Sequence, residues 1–343
     1  MAFEARRPGA RVAALMVALL AVAVVLGIGL VRSGGADLRL APPQKLTIAL
    51  STTPHAALLH IAAARGYFTR EGLEVTLLPV SHGKAALDLL AQGRADLASA
   101  AEVPFVISVM NGDAFGIAAT VASVATEMAV VARRDRDITG PHDLAGKTVG
   151  VTPGTSGEYF LWAFLIRHKL PPDAVTLEAL PPARMAQALA AGEVDAISTW
   201  QPVVFNAQSA TGRDAVSFSG AQAYRVTHVV VGRNDFLRKN AAAMQKLMRA
   251  VLRAERYNRD EPHAALALAA RWLGLDPKAL LPVWRELDFK VDLRQSQLIT
   301  LEEEARWAFA RGYAPPGPLP NFLPHLYLDA LLAVQPDRVT VVH

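Results

Sequence analysis

Gly146-Lys147-Thr148-Val149-Gly150-Val151-Thr152-Pro153-Gly154-Thr155-Ser156-Gly157-Glu158-Tyr159-Phe160-Leu161 is the stretch whose reading decides the fold. Lys147 to Val151 alternates polar and β-branched residues in the manner of a short buried strand. Thr152 to Gly157 is a turn of small residues, and Tyr159 to Ile166 is apolar and helical. At such a strand-turn-helix junction the first backbone N–H groups of the helix have no partner, and the macrodipole adds about half a positive charge. Serine and threonine hydroxyls complete a polar cradle for something small with acceptor atoms. The competing reading is an ordinary helix start with Thr155 or Ser156 as N-cap.

The chain makes the same statement twice, and a duplicated unit fixes architecture before any local argument does. Leu46 to Pro54 matches Lys147 to Thr155 as a strand running into a Ser/Thr/Pro turn. Val75-Thr76-Leu77 recurs as Val175-Thr176-Leu177, Leu90 to Ser99 as Leu189 to Ser198, and Val130 to Asp135 as Val230 to Asp235. The offsets are 101, 100, 99 and 100 residues, so four weak matches share one register. Each copy reads strand, helix, strand, helix, strand, which predicts an α/β fold with a parallel sheet and right-handed crossovers in each half. Ligands of such sheets bind beyond the carboxyl ends of the strands. With two lobes those ends face each other across a cleft, and the turns after Leu50 and Val151 become its opposite walls.

The 343 residues suffice for about two domains, and the chain contains no cysteine, which excludes disulfides, thiolate metal sites, a cysteine nucleophile and a lipid-modified N-terminal cysteine. Val12 to Val31 is an unbroken apolar run behind Arg6, Arg7 and Arg11. Twenty helical residues span roughly 30 Å, the thickness of a bilayer's hydrocarbon. The run predicts export and, being longer than a usual cleaved signal, an N-terminal transmembrane helix that anchors the protein; Gly34-Gly35-Ala36 offers a cleavage site for the alternative. Residues 1–36 are thus expected to be signal or anchor, and 37–44 a linker. The formal charge of +4 comes largely from residues 1–32, which leave 31 basic against 30 acidic groups in the rest. A nucleic-acid partner would require a basic surplus or stripe, and none is visible.

The expected organisation is lobe 1 in residues 45–132, lobe 2 in 133–226, a return to lobe 1 in 227–322 and a C-terminal tail in 323–343. Met128 to Ala132 and Thr227 to Val231 are expected to carry the two crossings between lobes, a hinge. The candidate ligand-binding residues all follow strand ends. In lobe 1 they are Ser51, Thr52, Thr53 and His55, then Ser81 and His82, then Glu102. In lobe 2 they are Thr152, Thr155 and Ser156, then Trp200 and Gln201, where the indole can stack on a ligand and the amide can donate and accept. Glu158 joins them if it faces the cleft.

Several motifs resemble the periplasmic substrate-binding proteins of ABC importers, in the nitrate/sulfonate/taurine group that also contains thiamine-pyrimidine-precursor binders. They are Ala64-Arg65-Gly66-Tyr67-Phe68 with Glu71-Gly72-Leu73-Glu74-Val75, Ala91-Gln92-Gly93-Arg94-Ala95-Asp96, Asp143 to Gly150, and Gly192-Glu193-Val194-Asp195-Ala196 with Trp200 and Pro202. The resemblance runs from Lys45 to Phe322. It implies the two-lobed periplasmic-binding-protein fold of type II, each lobe a mostly parallel sheet flanked by helices. It further implies a monomer outside the cytoplasm that closes on a solute and presents it to an ABC permease, with no cofactor and no catalytic residue.

The solute is open at this level. Hydroxyl-bearing turns favour an oxyanion such as a sulfonate, Glu102 and Glu158 favour an amine or nitrogen heterocycle, and a zwitterion satisfies both. Two other functions compete. Pyrimidine synthases resemble this fold and use histidines, and His55, His60 and His82 fall near the expected cleft, although their spacing matches no zinc pattern. A tethered sensor that reports ligand state to a membrane partner is the third.

Overall fold

A computed structural model describes residues 42–219 and 224–342. Residues 43–343 form one compact unit. The expected N-terminal transmembrane helix is corrected: among the described residues no helix is long and apolar enough to cross a membrane, and residues 12–31 lie outside the described residues. The fold class of the described residues is the two-lobed α/β fold, and they give no support to a membrane partner or anchorage through residues 12–31.

The first lobe opens with β1 (Gln44–Ser51), α1 (Ala57–Ala64), β2 (Leu73–Val80), α2 (Gly83–Ala91), β3 (Leu97–Ala101), α3 (Glu102–Met110) and β4 (Phe115–Val124). The second contains β5 (Ala129–Arg133), β6 (Thr148–Val151), α4 (Ser156–Arg167), β7 (Thr176–Ala179), α5 (Pro182–Ala191), β8 (Ala196–Thr199), α6 (Val203–Thr211) and β9 (Ala215–Ser219). The chain then returns through β10 (Val226–Arg233) to four longer helices, α7 (Ala241–Asp260), α8 (Pro262–Leu273), α9 (Pro277–Glu286) and α10 (Gln295–Ala310). The sheet orders are β2-β1-β3-β10-β4 and β7-β6-β8-β5-β9. In each, the fourth strand runs antiparallel to its neighbours and is the first strand laid down after the chain crosses over. The crossings therefore lie between Val124 and Ala129 and between Ser219 and Val226, immediately ahead of β5 and β10.

The hundred-residue repeat is visible in individual hydrogen bonds. Asp96 accepts from Thr47 N at 2.8 Å, and Asp195 accepts from Thr148 N at 2.9 Å, so each Gly-x-x-Asp motif pins the first strand of its lobe. Thr52 Oγ1 donates to Val80 O at 3.0 Å, and Thr152 Oγ1 to Leu180 O at 2.9 Å. The Arg133 guanidinium donates to Leu189 O and Ala190 O at the end of α5, where the last carbonyls of a helix lack partners. Arg233 does the same for Leu90 O near the end of α2 and for Ala95 O.

Packing follows from the apolar faces. Lobe 1 buries Ile48, Leu58, Phe105 and Ile117 with Leu247, Val251 and Leu301 from the returning helices. Residues 323–343, expected as a tail, instead complete this core: Ala330 and Leu331 are fully buried, and Leu326 and Val339 bridge to Ile117 and Leu293. Leu326, Tyr327, Leu328, Ala330 and Leu331 supply the apolar surface that is buried there. A second cluster joins the lobes, with Phe160 and Phe164 of α4 in the same core as Val103, Val124 and Trp307.

Candidate functional site

The strand ends deliver their residues to one cavity of about 40 Å³ between the sheets, lined by Thr53, His55, His82, Gly83, Lys84, Ala101, Pro104, Glu127, Met128, Thr155, Ser156, Trp200, Val226 and His228. Both lobes and both crossings contribute. The lobes are shut around it: a Cβ built on Gly154 of lobe 2 would lie 3.5 Å from Ile107 Cδ1 of lobe 1. At roughly 10 to 15 Å³ per water the space holds a few solvent molecules.

Three helices begin at its wall. His82 precedes α2, Ala101 precedes α3 and Thr155 precedes α4, and none of the three supplies a side-chain cap. Thr155 Oγ1 instead donates to Thr152 O at 2.7 Å. Uncapped N–H groups and three positive dipole ends thus converge on one space, joined by the Lys84 ammonium. Trp200, Pro104, Met128 and Val226 give it an apolar side.

The floor is built from both crossings. His55 Nε2 meets Glu127 Oε2 at 2.5 Å, with each side chain 2 % exposed. The His55 ring stacks on His228 with centroids 4.6 Å apart. Burial, with His55 second, pushes His228 well below the usual histidine range, so it is neutral. Its Nε2 faces Ser51 Oγ at 3.4 Å, and Ser51 also touches Thr53 and Ser99. Burial, then Lys84, lowers His82, with Asp88 opposing.

Of the residues singled out from sequence, Thr53, His55, His82, Thr155, Ser156 and Trp200 line the cavity. The others do not. Ser51 lies fully buried behind Thr53. Thr52 and Thr152 spend their hydroxyls on the neighbouring strand. Ser81 is exposed and bonds His82 Nδ1. Gln201 turns to accept from Phe205 N at 3.2 Å. Glu102 points away, accepting from Thr227 N at 2.9 Å. Glu158 also leaves the cavity: it accepts from Gly154 N, the Tyr313 hydroxyl and Arg311, tying the turn of lobe 2 to the chain beyond α10. His60 stacks on Trp272 away from the site.

Lys84, Glu127, Met128, Val226 and His228 were missed: Met128 and His228 fell in crossings read as hinge alone, and the others lay outside every stretch singled out. The repeat held part of the signal: Met128 and His228 stand 100 residues apart, in its own register. Among the described residues no group of three or more His, Asp or Glu is placed to hold a metal ion.

Comparisons with known proteins agree with this geometry. A protein of Brucella abortus provisionally named a binding protein is 23% identical over 137 residues, 39% of this chain and 43% of that relative, so the match spans less than half the relative's length. The alkanesulfonate-binding protein of Xanthomonas axonopodis pv. citri, bound to MOPS, superposes with a TM-score of 0.73 at 19% identity over 84% of this chain and 99% of that one. The periplasmic aliphatic sulphonate-binding protein of Escherichia coli does so with a TM-score of 0.68 at 18% identity over 80% and 94%. At such identities the likeness is one of fold, a binding-protein fold here without metal or cysteine chemistry among the described residues. The sequence profile of the NMT1/THI5-like family matches residues 53–265, more than half of the chain, and the chain belongs to that family.

Proposed function

We propose that this protein is the extracytoplasmic solute-binding component of an ABC importer and that it captures a small organic anion, a sulfonate or carboxylate, between its lobes. The observation that carries the reading is the convergence of three uncapped helix starts and Lys84 on one cavity with an apolar side of Trp200, Pro104 and Met128. Anion oxygens take the free N–H groups, and the carbon body lies against the indole. Closure excludes water, which strengthens these bonds. The small volume of the cavity requires the lobes to part for a solute to enter and to re-form around it.

Glu127 favours a second reading, a zwitterion whose amine approaches that buried carboxylate while its anionic end takes the helix starts. A thermal-shift screen of sulfonates, aminosulfonates, nitrate, carboxylates and pyrimidines separates the two. A stabilising sulfonate or carboxylate supports capture of an anion, and a requirement for the amine supports the zwitterion. Trp200→Ala should weaken the best solute about 10- to 100-fold, the worth of one buried aromatic contact. Multiple turnovers of any of these compounds would replace binding by catalysis.

A further inference from the structure

The return end of the second crossing is fastened by two buried carboxyl groups that the solute site does not use. Glu102, the first residue of α3, and Glu304, from α10, are 1% and 0% exposed. Thr227 N donates to Glu102 Oε2 at 2.9 Å, and the Tyr224 hydroxyl donates to Glu304 Oε1 at 2.8 Å. Tyr224 and Thr227 both lie on the segment that brings the chain back from lobe 2. Glu304 Oε2 is buried with no hydrogen-bond partner among the described residues. Two residues of the same segment, Val226 and His228, line the solute cavity. On its lobe 2 side the Tyr224 ring meets Tyr159 of α4 edge-on at 4.8 Å.

We propose that Glu102 and Glu304 form a proton-holding latch on the second crossing, which closes the lobes when protonated and releases them when ionised. The inference rests on the reading of the protein as a closing two-lobed binder. Among the described residues Glu102 and Glu304 are each buried with a single hydrogen-bond donor, and Glu304 Oε2 has none, so ionising them inside the closed molecule leaves buried charge short of partners. Opening moves Tyr159 and the rest of lobe 2 away and admits water to the pair, so the ionised form favours the open state. The groups facing the pair are Tyr159 from α4, Tyr224 and Thr227 from the crossing, and Glu303 from α10. A polar cavity beside Glu102 adds Arg225, Asp288, Lys290, Asp292 and Arg294, of which Arg294 is engaged by Asp292 at 2.6 Å. Burial pushes Glu102 up to about 8, the bond from Thr227 opposing, while burial and Glu102 raise Glu304 well above the carboxylate range.

The sign follows from linkage. In the closed form burial holds protons that the open form, with carboxyl groups in their usual range, has already lost, so closure weakens as pH rises from that range toward about 8, where Glu102 ionises in the closed form. One such proton changes the closed-to-open ratio by about tenfold per pH unit. Because the chain has no native cysteine, Gln92→Cys and Arg213→Cys in the full chain place one spin label on each lobe. Interlobe distances are then measured without solute from pH 5.5 to 8.5. The expected result is a growing long-distance population up to about pH 8 in the native protein, and a flat profile in Glu102→Gln/Glu304→Gln, whose amides still accept from Thr227 and Tyr224. A native profile that does not move, or a double variant that moves equally, overturns the latch. Thermal unfolding at pH 5.5 checks that the double variant folds as the native protein does, and should it not, the single variant Glu304→Gln carries the same comparison. Since no solute enters the measurement, failure of the latch leaves the solute reading standing, and failure of the screen leaves the latch standing.

Discussion

Gly83→Ala tests whether the start of α2 is held at the cavity by close approach to β3. A Cβ at this position would fall 2.7 Å from Ala100 Cα, 3.0 Å from its Cβ and 3.1 Å from Ala101 N. Carbon atoms pack at about 3.5 to 4.0 Å, so the helix start must retreat by roughly 1 Å. Ala100 cannot yield, because it is fully buried in a strand paired on both sides. Overpacking of this kind costs about 1 to 3 kcal/mol, partly offset by the better helix propensity of alanine. At about 2 to 4 °C per kcal/mol for a chain of this size, melting should fall by several degrees. The retreat carries His82, Gly83 and Lys84 with it, so stabilisation by the best solute of the screen should shrink as well. Gly93→Ala is the comparison: its φ of +71° strains any side chain, yet nothing lies within 4 Å of the added carbon. It should lose about 1 to 2 kcal/mol and keep the full response to solute. If Gly83→Ala melts as the native protein does, or if both variants retain the same response, the packing argument for this helix start is wrong.

Asp96→Ala and Asp195→Ala each strip a strand N–H of its acceptor, at Thr47 and Thr148. Each should cost about 1 to 3 kcal/mol in chemical unfolding, and similar losses in the two lobes would show that the repeated motifs do the same job. Tyr313→Phe removes the hydroxyl shared by Glu158 and Gly154 of lobe 2, while the Tyr313 carbonyl stays bonded to Asn111 after α3 of lobe 1. This strut spans the lobes, so the variant should favour the open form in small-angle scattering and lose about 1 to 2 kcal/mol of stability, and an unchanged scattering profile would count against the strut.

The fold was legible where the physics is local or repeated. The strand expected over Lys147 to Val151 runs as β6 from Thr148, and the helix expected from Tyr159 starts three residues earlier, at Ser156, as α4, since alternation and a small-residue turn specify backbone without help from distant parts. Gly-x-x-Asp was legible as a recurrence, and the structure shows that it pins a strand in each half. The site was legible only at positions next to strand ends, such as Thr53, His82 and Trp200. Sequence position could not say which way a side chain turns. Thr52 and Thr53 are neighbours in one turn, yet one bonds the adjacent strand and the other faces the cavity. Glu102 and Glu158 read as ligand groups because an acidic residue in a helix's first turn suits the dipole whatever it faces. Their true partners, Thr227, Tyr313 and Arg311, are 125, 155 and 153 residues away.

Comparing the two halves with each other separates scaffold from recognition. Scaffold bonds recur with the same residue types: Thr52 and Thr152 across the strand tips, Asp96 and Asp195 under the first strands, Arg133 and Arg233 at helix ends. Cavity positions do not: His55 stands opposite Ser156 in register, Ala101 opposite Trp200, and Met128 opposite His228. A symmetric cleft built from two identical walls would present the same donors to both ends of a solute. Here the lobe 2 side offers an indole and one helix start, and the lobe 1 side two helix starts and an imidazole paired with Glu127, so on the reading proposed above the pocket would distinguish the two ends of an unsymmetrical molecule. Selectivity therefore resides in the residues where the halves diverge. Exchanging His55, Ala101 or Met128 for its counterpart in the other half should alter which solute binds before it alters whether the chain folds.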